Sequence, residues 1–363
     1  MLIKPAGGGC NMRCRYCFYC DVLSERGGTV SRMTDGTAAQ LIKKAFGYAR
    51  ASVSFAFQGG EPTLAGLDFY RRFVETVGRE NKKGLAVRYA LQTNGVRIDG
   101  DWAAFLKAEN FLTGLSLDGP AEIHDLNRVD AGGGGTHRDV MRAARALDRA
   151  GAAFNILSVI TAATARHIGK IYAFYKKQGF KYLQFIPCLD GFDGKPDKFS
   201  LRGDGYEGFL KRLFDLWYDD FLRGEYISIR AFDNYIHMLQ GLPPENCAMG
   251  GACGVYYVVE GNGDVYPCDF YCIDSYRLGN LGGGDFTDFE RSAARERFAQ
   301  EGRGHAETCG ACRHYDLCRG GCRRERDGVT RAHRFCGATQ AFFDYARPRM
   351  SAIADSLRRR NAR

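Results

Sequence analysis

The chain has 363 residues, of which 45% are hydrophobic and 26% charged, and it carries a formal net charge of +9 at pH 7. This length favours one large domain with a second one appended. Basic residues are spread along the chain instead of forming one cluster, which disfavours a protein that binds nucleic acid. No apolar run reaches the roughly 18 residues of a membrane span, and the start lacks the features of a secretory signal. We therefore expect a cytoplasmic protein with no membrane partner.

Strand-like and helix-like segments alternate from Leu2 to about Ile186. Repeated β–α units of this kind predict a parallel sheet with helices packed outside it. Counting Leu2–Lys4 as the first strand gives six units, which suits an open (β/α)6 barrel. The later strands are predicted at Val53–Phe57, Ala86–Leu91, Phe111–Leu117, Ala153–Ile160 and Tyr182–Ile186, and the helices at Thr34–Arg50, Leu67–Arg79, Asp101–Ala108, Thr136–Ala150 and His167–Gln178.

Three cysteines follow the first predicted strand with the spacing C-x3-C-x2-C, namely Cys10, Cys14 and Cys17. Thiolates hold iron–sulfur clusters, and three of them would leave the fourth iron of a 4Fe–4S cluster open to a ligand that is not protein. Because Cys20 extends the run, a four-thiolate zinc site is the alternative, although four thiols so close together would form a cramped tetrahedron. The chain has 14 cysteines in all, and in a reducing compartment this number favours metal ligation over disulfides.

Polar and glycine-rich segments follow the next predicted strands. Gln58–Pro62 reads QGGEP, Gln92–Gly95 reads QTNG, and Ser116–Gly119 reads SLDG, with Arg128 beyond. Because the carboxyl ends of parallel strands meet at one edge of the sheet, these segments predict a ligand site near the first cysteines. Glycines there let the backbone approach a ligand closely.

The last third of the chain holds nine further cysteines, namely Cys272 and eight others, after a stretch from 191 to 246 that has little recognisable chemistry. Between them, Val255–Glu260 and Asp264–Tyr266 flank an Asn-Gly pair, which predicts a β-hairpin that ends at Cys268. Eight thiols divide into two four-cysteine metal sites, with tandem zinc ribbons as the alternative. The eight are Cys247, Cys253, Cys268, Cys309, Cys312, Cys318, Cys322 and Cys336.

The first cysteine group, with Tyr16 before its last thiol, resembles the radical S-adenosylmethionine (radical SAM) superfamily, and the later pattern resembles the SPASM extension with two auxiliary 4Fe–4S clusters. From about Leu2 to Arg347, strings such as LIKPAGGGCNMRCRYCFY, SFAFQGGEPTLAGLDFY, GLSLDGPAEIHDLNR and VYPCDFY are similar to the anaerobic sulfatase-maturating enzymes. Those enzymes oxidise a cysteine or serine of a sulfatase to Cα-formylglycine. The resemblance implies an α/β fold with a partial (β/α)6 barrel of radical SAM type over 1–190, a helical bridge over 191–246, and a C-terminal SPASM-like domain with a final helix over 247–363.

The same resemblance implies three 4Fe–4S clusters and SAM as cofactors, and assigns a role to individual residues. The first cluster would be held by Cys10, Cys14 and Cys17, the first auxiliary cluster by Cys247, Cys253, Cys268 and Cys322, and the second by Cys309, Cys312, Cys318 and Cys336. SAM would be bound by Tyr16, Gly60, Ser116, Arg128 and Leu189, while Tyr19 and Gln58 would face the substrate peptide. Asp269 would be the base that accepts the thiol or hydroxyl proton of the substrate.

The implied partners are an unfolded or nascent sulfatase polypeptide and an electron donor such as flavodoxin or ferredoxin. Cys20, Cys188 and Cys272 have no assigned role, and we expect them to be partly buried thiols that behave as small apolar residues. The main alternative is another SPASM-type maturase that forms thioether or carbon–carbon crosslinks in a peptide. A second alternative is an iron–sulfur or zinc scaffold that binds nucleic acid and does not cleave SAM.

Overall fold

The computed structural model describes residues 1–25, 31–192 and 194–361, with the side chain of Asn361 excepted. Contacts divide the chain into two compact units. Unit 1 comprises Met1–Leu117, His124–Asn155 and Val255–Phe298, and unit 2 comprises Asp118–Ile123, Ile156–Gly254 and Ala299–Arg363. The domain boundaries at 190 and 246 stay a prediction. In the part of the chain that the structure describes, no helix combines the length and apolar character needed to cross a membrane.

Strands and helices alternate through the first half of the chain, as the periodicity predicts. The strands are β1 (Leu2–Ile3), β2 (Ser52–Phe57), β3 (Ala86–Thr93), β4 (Phe111–Ser116), β5 (Phe154–Ile160), β6 (Tyr182–Pro187), β7 (Ser228–Ile229), β8 (Val258–Val259), β9 (Asp264–Tyr266) and β10 (Gly279–Asn280). The α-helices are α1 (Tyr19–Glu25), α2 (Asp35–Tyr48), α3 (Leu67–Glu80), α4 (Gly100–Ala108), α5 (Ala121–His124), α6 (His137–Ala150), α7 (Ala162–Ala165), α8 (Ile168–Lys177), α9 (Gly203–Leu222), α10 (Arg230–Leu239), α11 (Phe286–Glu290), α12 (Ala293–Arg303), α13 (Tyr315–Cys318) and α14 (Cys336–Asn361).

Unit 1 is built on a parallel sheet in which β1, β2, β3 and β4 are neighbours in chain order. Leu2 lies opposite Ala56, Val53 opposite Val87, and Tyr89 opposite Phe111. Parallel pairing requires a crossover between consecutive strands, and helices provide it. The predicted parallel α/β arrangement is therefore confirmed for these strands.

Aromatic side chains fill the space between this sheet and its helices. The ring centroid of Phe57 lies 4.9 Å from that of Tyr70 and 5.0 Å from that of Phe73, both with the edge of one ring toward the face of the other. Each fully buried side chain of this size contributes about 1.5–3 kcal/mol relative to an exposed one. Packing of α3 against β2 therefore fixes the position at which β2 ends, where the QGGEP segment begins.

The predicted hairpin forms, and it joins the sheet of unit 1, which the sequence did not indicate. β8 and β9 pair in antiparallel fashion around Gly263, whose φ of +86° suits the turn. β8 also pairs in parallel with β1, so that the Leu2 amide donates to the Tyr257 carbonyl at 2.9 Å. As a consequence, the segment after β9 lies beside the end of β1.

Unit 2 contains the parallel strands β5, β6 and β7 and a helical layer in which α9 packs on α14. Ile156 lies opposite Leu183, and Tyr182 opposite Ser228. In the helical layer, the ring of Phe214 on α9 lies 5.9 Å from that of Phe342 on α14, edge to face. The sequence predicts a helix over Tyr206–Leu222, and the structure starts it three residues earlier, at Gly203.

Candidate functional site

The first three cysteines lie on the loop between β1 and α1, at the carboxyl end of the unit 1 sheet. Two backbone hydrogen bonds anchor this loop: the Arg13 amide donates to the Val129 carbonyl at 2.8 Å, and the Arg15 amide to the Asn127 carbonyl at 2.9 Å. Burial, with the charges of Glu61 and Cys14 adding to it, raises the pKa of Cys10 to about 11. Thiolates that repel one another in this way are stabilised by a metal, so the donor set fits an iron–sulfur cluster.

Cys20 is exposed, contrary to the expectation that it would be partly buried. The Cys17 thiol donates a hydrogen bond to it, which lowers the pKa of Cys20 to about 6. Cys188 and Cys272 are buried more completely than expected, and Cys272 is not merely apolar, because Lys4 Nζ donates to its sulfur at 3.2 Å.

Gly60 of the QGGEP segment lies directly against the cysteine loop. A Cβ atom at Gly60 would lie 2.1 Å from the carbonyl oxygen of Gly9, so only glycine permits this approach. The next residue strengthens the contact, since the Glu61 amide donates to the same Gly9 oxygen at 2.7 Å. The segment after β2 and the cysteine loop are therefore held together by backbone contacts.

The Glu61 carboxylate joins the ends of β2 and β3. It is buried and accepts hydrogen bonds from the Thr93 hydroxyl at 2.7 Å and the Asn94 amide at 2.7 Å, in addition to the hydroxyl of Thr63. Burial raises the pKa of Glu61, although these hydrogen bonds act in the opposite direction. Asn94 continues the network, because its side-chain nitrogen donates to Asn11 Oδ1 at 2.9 Å.

The other residues predicted to bind SAM lie at strand ends. The guanidinium of Arg128 lies 5.5 Å from the ring centroid of Tyr16, within reach of a cation–π interaction. Ser116, the last residue of β4, accepts a hydrogen bond from Gln92 Nε2 at 3.2 Å. Leu189 lies in unit 2, two residues beyond the end of β6. Their role in binding SAM stays a prediction.

Asp269 is buried at the end of the hairpin, where the two predicted substrate-facing residues contact it. The Tyr19 hydroxyl donates to Asp269 Oδ1 at 2.9 Å, and Gln58 Nε2 donates to Oδ2 at 2.8 Å. Residues from the start of α1, from the β2 end and from the hairpin therefore meet at one carboxylate. A carboxylate held in this way can accept a proton from a group placed beside it.

Lys4 completes this cluster, and the sequence reasoning missed it. Its side chain is fully buried, and Nζ lies 2.8 Å from Asp269 Oδ1 and 3.5 Å from Glu260 Oε1. Burial by itself lowers the pKa of a lysine, but the Asp269 carboxylate outweighs this, and the pKa of Lys4 lies above its ordinary value. The sequence feature that could have identified Lys4 is its position as a charged residue directly after the apolar first strand.

A second hydroxyl contacts the Asp269 segment and was also missed. Tyr256 Oη accepts a hydrogen bond from the Asp269 amide at 2.8 Å and donates to Cys268 Sγ at 3.5 Å. Burial raises the pKa of Tyr256 above its ordinary value, with the charges of Cys268 and Asp269 adding to the effect. The hydroxyl therefore stays protonated and can donate to the sulfur.

In unit 2, Cys309, Cys312, Cys318 and Cys336 line one pocket. Burial raises the pKa of Cys318, and the other three thiols add to the rise. Four mutually repelling thiolates that face one space are the donor set of a four-iron cluster. Gln340, on the same face of α14 as Cys336, donates from Nε2 to Cys336 Sγ at 3.5 Å.

The remaining predicted auxiliary ligands are divided between the units: Cys268 belongs to unit 1, and Cys247, Cys253 and Cys322 belong to unit 2. Burial raises the pKa of Cys253, and the nearby Cys247 adds to the rise. Across the described residues, no three His, Cys, Asp or Glu side chains are grouped so as to hold a single metal ion. A single zinc draws its sulfurs to about 2.3 Å from itself, whereas a cluster binds each sulfur through a different iron.

The radical SAM superfamily profile matches residues 5–174, and the profile of an iron–sulfur cluster-binding domain, SPASM, matches residues 251–313. With the cysteine loop at the carboxyl end of a parallel sheet, these matches define a radical SAM enzyme with a C-terminal SPASM domain, whose cofactors are SAM and 4Fe–4S clusters. Curated cysteine-type anaerobic sulfatase-maturating enzymes of Clostridium novyi and Clostridium perfringens are 43% and 42% identical to the chain, over 98% and 99% of it and 97% and 99% of their own lengths. The chain belongs to the family of anaerobic sulfatase-maturating enzymes.

Solved structures agree with this assignment. The structure of native anSMEcpe with bound AdoMet is 42% identical, has a TM-score of 0.94 and covers 98% of each chain. Another structure of the same protein contains AdoMet and a Cp18Cys peptide. Streptococcus suis SuiB bound to S-adenosylmethionine is 16% identical with a TM-score of 0.59, covering 91% of this chain and 74% of that one, and it shows the fold alone.

Proposed function

We propose that this enzyme acts on cysteine-type sulfatases and oxidises one cysteine of the sulfatase polypeptide to Cα-formylglycine. The choice of cysteine is supported by the relatives, since the cysteine-type enzymes are 42–43% identical and the serine-type enzyme of Klebsiella pneumoniae is 29% identical over 94% of this chain and 86% of its own length. The observation that carries the proposal is the buried Asp269 carboxylate, held by Tyr19 and Gln58.

The ligand sets proposed for the clusters are those of the sequence analysis. The N-terminal cluster takes Cys10, Cys14 and Cys17, which leaves one iron open for SAM. The chemistry supplied by the bound cofactors is the removal of one hydrogen atom from the substrate Cβ and the uptake of one electron. Tyr16, Gly60, Ser116, Arg128 and Leu189 are proposed to bind SAM.

Asp269 is proposed to accept the thiol proton of the substrate. Loss of one hydrogen atom, one proton and one electron converts the Cβ–SH group into a thioaldehyde, and water then replaces the sulfur to give the aldehyde and hydrogen sulfide. Tyr19 and Gln58 orient the carboxylate, because each donates to a different oxygen of it. The Lys4 ammonium pairs with the carboxylate, with Nζ 2.8 Å from Oδ1, and helps to hold it in place.

The reaction also needs an electron source and a compartment that keeps the clusters reduced. A small redox protein such as flavodoxin or ferredoxin is the proposed donor. The proposed substrate is an unfolded or nascent sulfatase in the cytoplasm, because a buried base reaches a side chain only if that segment of the substrate is extended.

The test uses the reconstituted, reduced enzyme with SAM and three sulfatase-derived peptides that carry Cys, Ser or Ala at the target position. We expect aldehyde from the Cys peptide, at least about tenfold less from the Ser peptide, and none from the Ala peptide, as judged by mass spectrometry. Equal conversion of the Cys and Ser peptides would refute the cysteine preference. A crosslinked peptide in place of the aldehyde would refute the proposed reaction.

A further inference from the structure

The hairpin register places Tyr256 opposite Cys268. Val258 pairs with Tyr266 and Val259 with Val265, and continuing this register outward sets Tyr256 across from Cys268. The Tyr256 amide donates to the Pro267 carbonyl at 3.4 Å, which holds the two arms of the hairpin together beyond the last strand pair. The tyrosine is therefore fixed by its backbone next to the residues that follow β9.

The Tyr256 hydroxyl makes two hydrogen bonds, one as acceptor and one as donor. It accepts from the Asp269 amide at 2.8 Å and donates to Cys268 Sγ at 3.5 Å. One hydroxyl thus connects the sulfur that is proposed to ligate an auxiliary cluster with the backbone of the proposed proton acceptor.

The backbone beside Tyr256 adopts an uncommon conformation. Tyr257 has a φ of +48°, in the left-handed region that residues other than glycine rarely occupy. The Tyr257 side chain points to a different partner, since its hydroxyl donates to the Phe286 carbonyl at 3.5 Å. The two neighbouring tyrosines therefore differ in what their hydroxyls contact, and only the first reaches the site.

We propose that Tyr256 is a positioning residue that ties the Cys268 ligand of the first auxiliary cluster to Asp269, so that the electron acceptor and the proton acceptor are held as one unit. This inference rests on the proposed function. A hydrogen bond to a ligating sulfur stabilises the reduced, more negative cluster and so raises its reduction potential. The bond from the Asp269 amide fixes the position of the carboxylate, and small displacements at a reacting centre cost large factors in rate.

The test compares Tyr256→Phe with the control Tyr257→Phe, which removes a hydroxyl from the neighbouring residue. In Tyr256→Phe we expect an auxiliary cluster with a lower reduction potential in an EPR-monitored redox titration. We also expect the ratio of aldehyde formed to 5′-deoxyadenosine formed to fall at least about tenfold on the Cys peptide. Tyr257→Phe should match the wild-type enzyme in both measurements.

A second variant tests the inference even if Tyr256→Phe fails to fold. Incorporation of 3-fluorotyrosine at position 256 keeps the shape and strengthens the O–H donor, and it should shift the potential upward. If Tyr256→Phe matches Tyr257→Phe and the fluorotyrosine enzyme keeps the wild-type potential, the inference is wrong. Failure of the proposed function is a different result, because the wild-type enzyme itself would then form no aldehyde.

Discussion

At the scale of single residues, the proposed chemistry centres on one buried carboxylate. Asp269 receives hydrogen bonds from Tyr19 and Gln58 and an ion pair from Lys4. Because a buried charge needs a partner, the Asp269 carboxylate outweighs the effect of burial and holds the pKa of Lys4 above its ordinary value.

The first prediction concerns the base. Asp269→Asn keeps the shape of the side chain but removes its capacity to accept a proton at neutral pH. We expect aldehyde formation on the Cys peptide to fall by about 100-fold or more, while 5′-deoxyadenosine formation continues. Both products are measured by liquid chromatography and mass spectrometry.

The control is Asp274→Asn, the same change at an exposed position five residues further along the chain. It should leave aldehyde formation unchanged. Removing one partner of a buried ion pair also costs stability, so the iron content of both variants is measured. Undiminished aldehyde formation by an iron-replete Asp269→Asn enzyme would remove Asp269 from the role of base.

At the scale of elements, α8 and α9 of unit 2 are joined through one buried carboxylate. Asp220 on α9 accepts a hydrogen bond from Tyr172 Oη at 2.9 Å and pairs with Lys176 Nζ at 2.7 Å, both on α8. Burial raises the pKa of Asp220, but these partners and Arg223 outweigh it, so that the pKa lies below its ordinary value. A lowered folded-state pKa stabilises the fold at every pH above the ordinary value near 4, and the benefit is lost as the pH falls through the lowered pKa.

The second prediction follows from the lowered pKa of Asp220. At neutral pH the contribution of Asp220 is fully present, so Asp220→Asn should destabilise the helix pair by about 1–3 kcal/mol. Amide hydrogen exchange measured by mass spectrometry should accelerate in α8 and α9. Asp219→Asn, an exposed neighbour on the same helix, serves as the control. Equal exchange in the two variants would contradict the proposed link between the helices.

At the scale of the whole molecule, the proposed iron–sulfur clusters would use most of the cysteines as ligands. Eleven of the 14 cysteines are assigned to clusters, which leaves Cys20, Cys188 and Cys272. Cys20 lies closest in sequence to the N-terminal set and hydrogen bonds with Cys17, so it is the residue that would compete for the open iron. The proposed chemistry requires that iron to be available to SAM.

The third prediction is the metal content. After anaerobic reconstitution we expect about twelve irons per chain, from three four-iron clusters. Cys309→Ala combined with Cys312→Ala should reduce this to about eight, because it removes two ligands of the second auxiliary cluster. Cys20→Ala should keep about twelve irons and should still cleave SAM. About two zinc ions per chain, or loss of the N-terminal cluster in Cys20→Ala, would contradict the assignment.

The sequence by itself determined the local features. Periodicity located β2 to β6 to within about two residues, the Asn-Gly pair located the hairpin, and the cysteine motif carried the resemblance to radical SAM enzymes. These signals are readable because each depends on residues close together in the chain. For Gly60, the sequence predicted only that the backbone could approach a ligand closely. It did not show that Gly60 lies against the cysteine loop, because that contact depends on the fold.

The tertiary structure alone decided what surrounds Asp269. Tyr19 and Asp269 are 250 residues apart, and they meet because β8 pairs with β1. The pairing of β8 with β1 leaves no periodic or spacing signal in the sequence, because either strand could have paired with another edge. Lys4 and Tyr256 became recognisable only once that pairing placed them beside Asp269, for a lysine after a strand or a tyrosine in a hairpin has no distinctive pattern of its own.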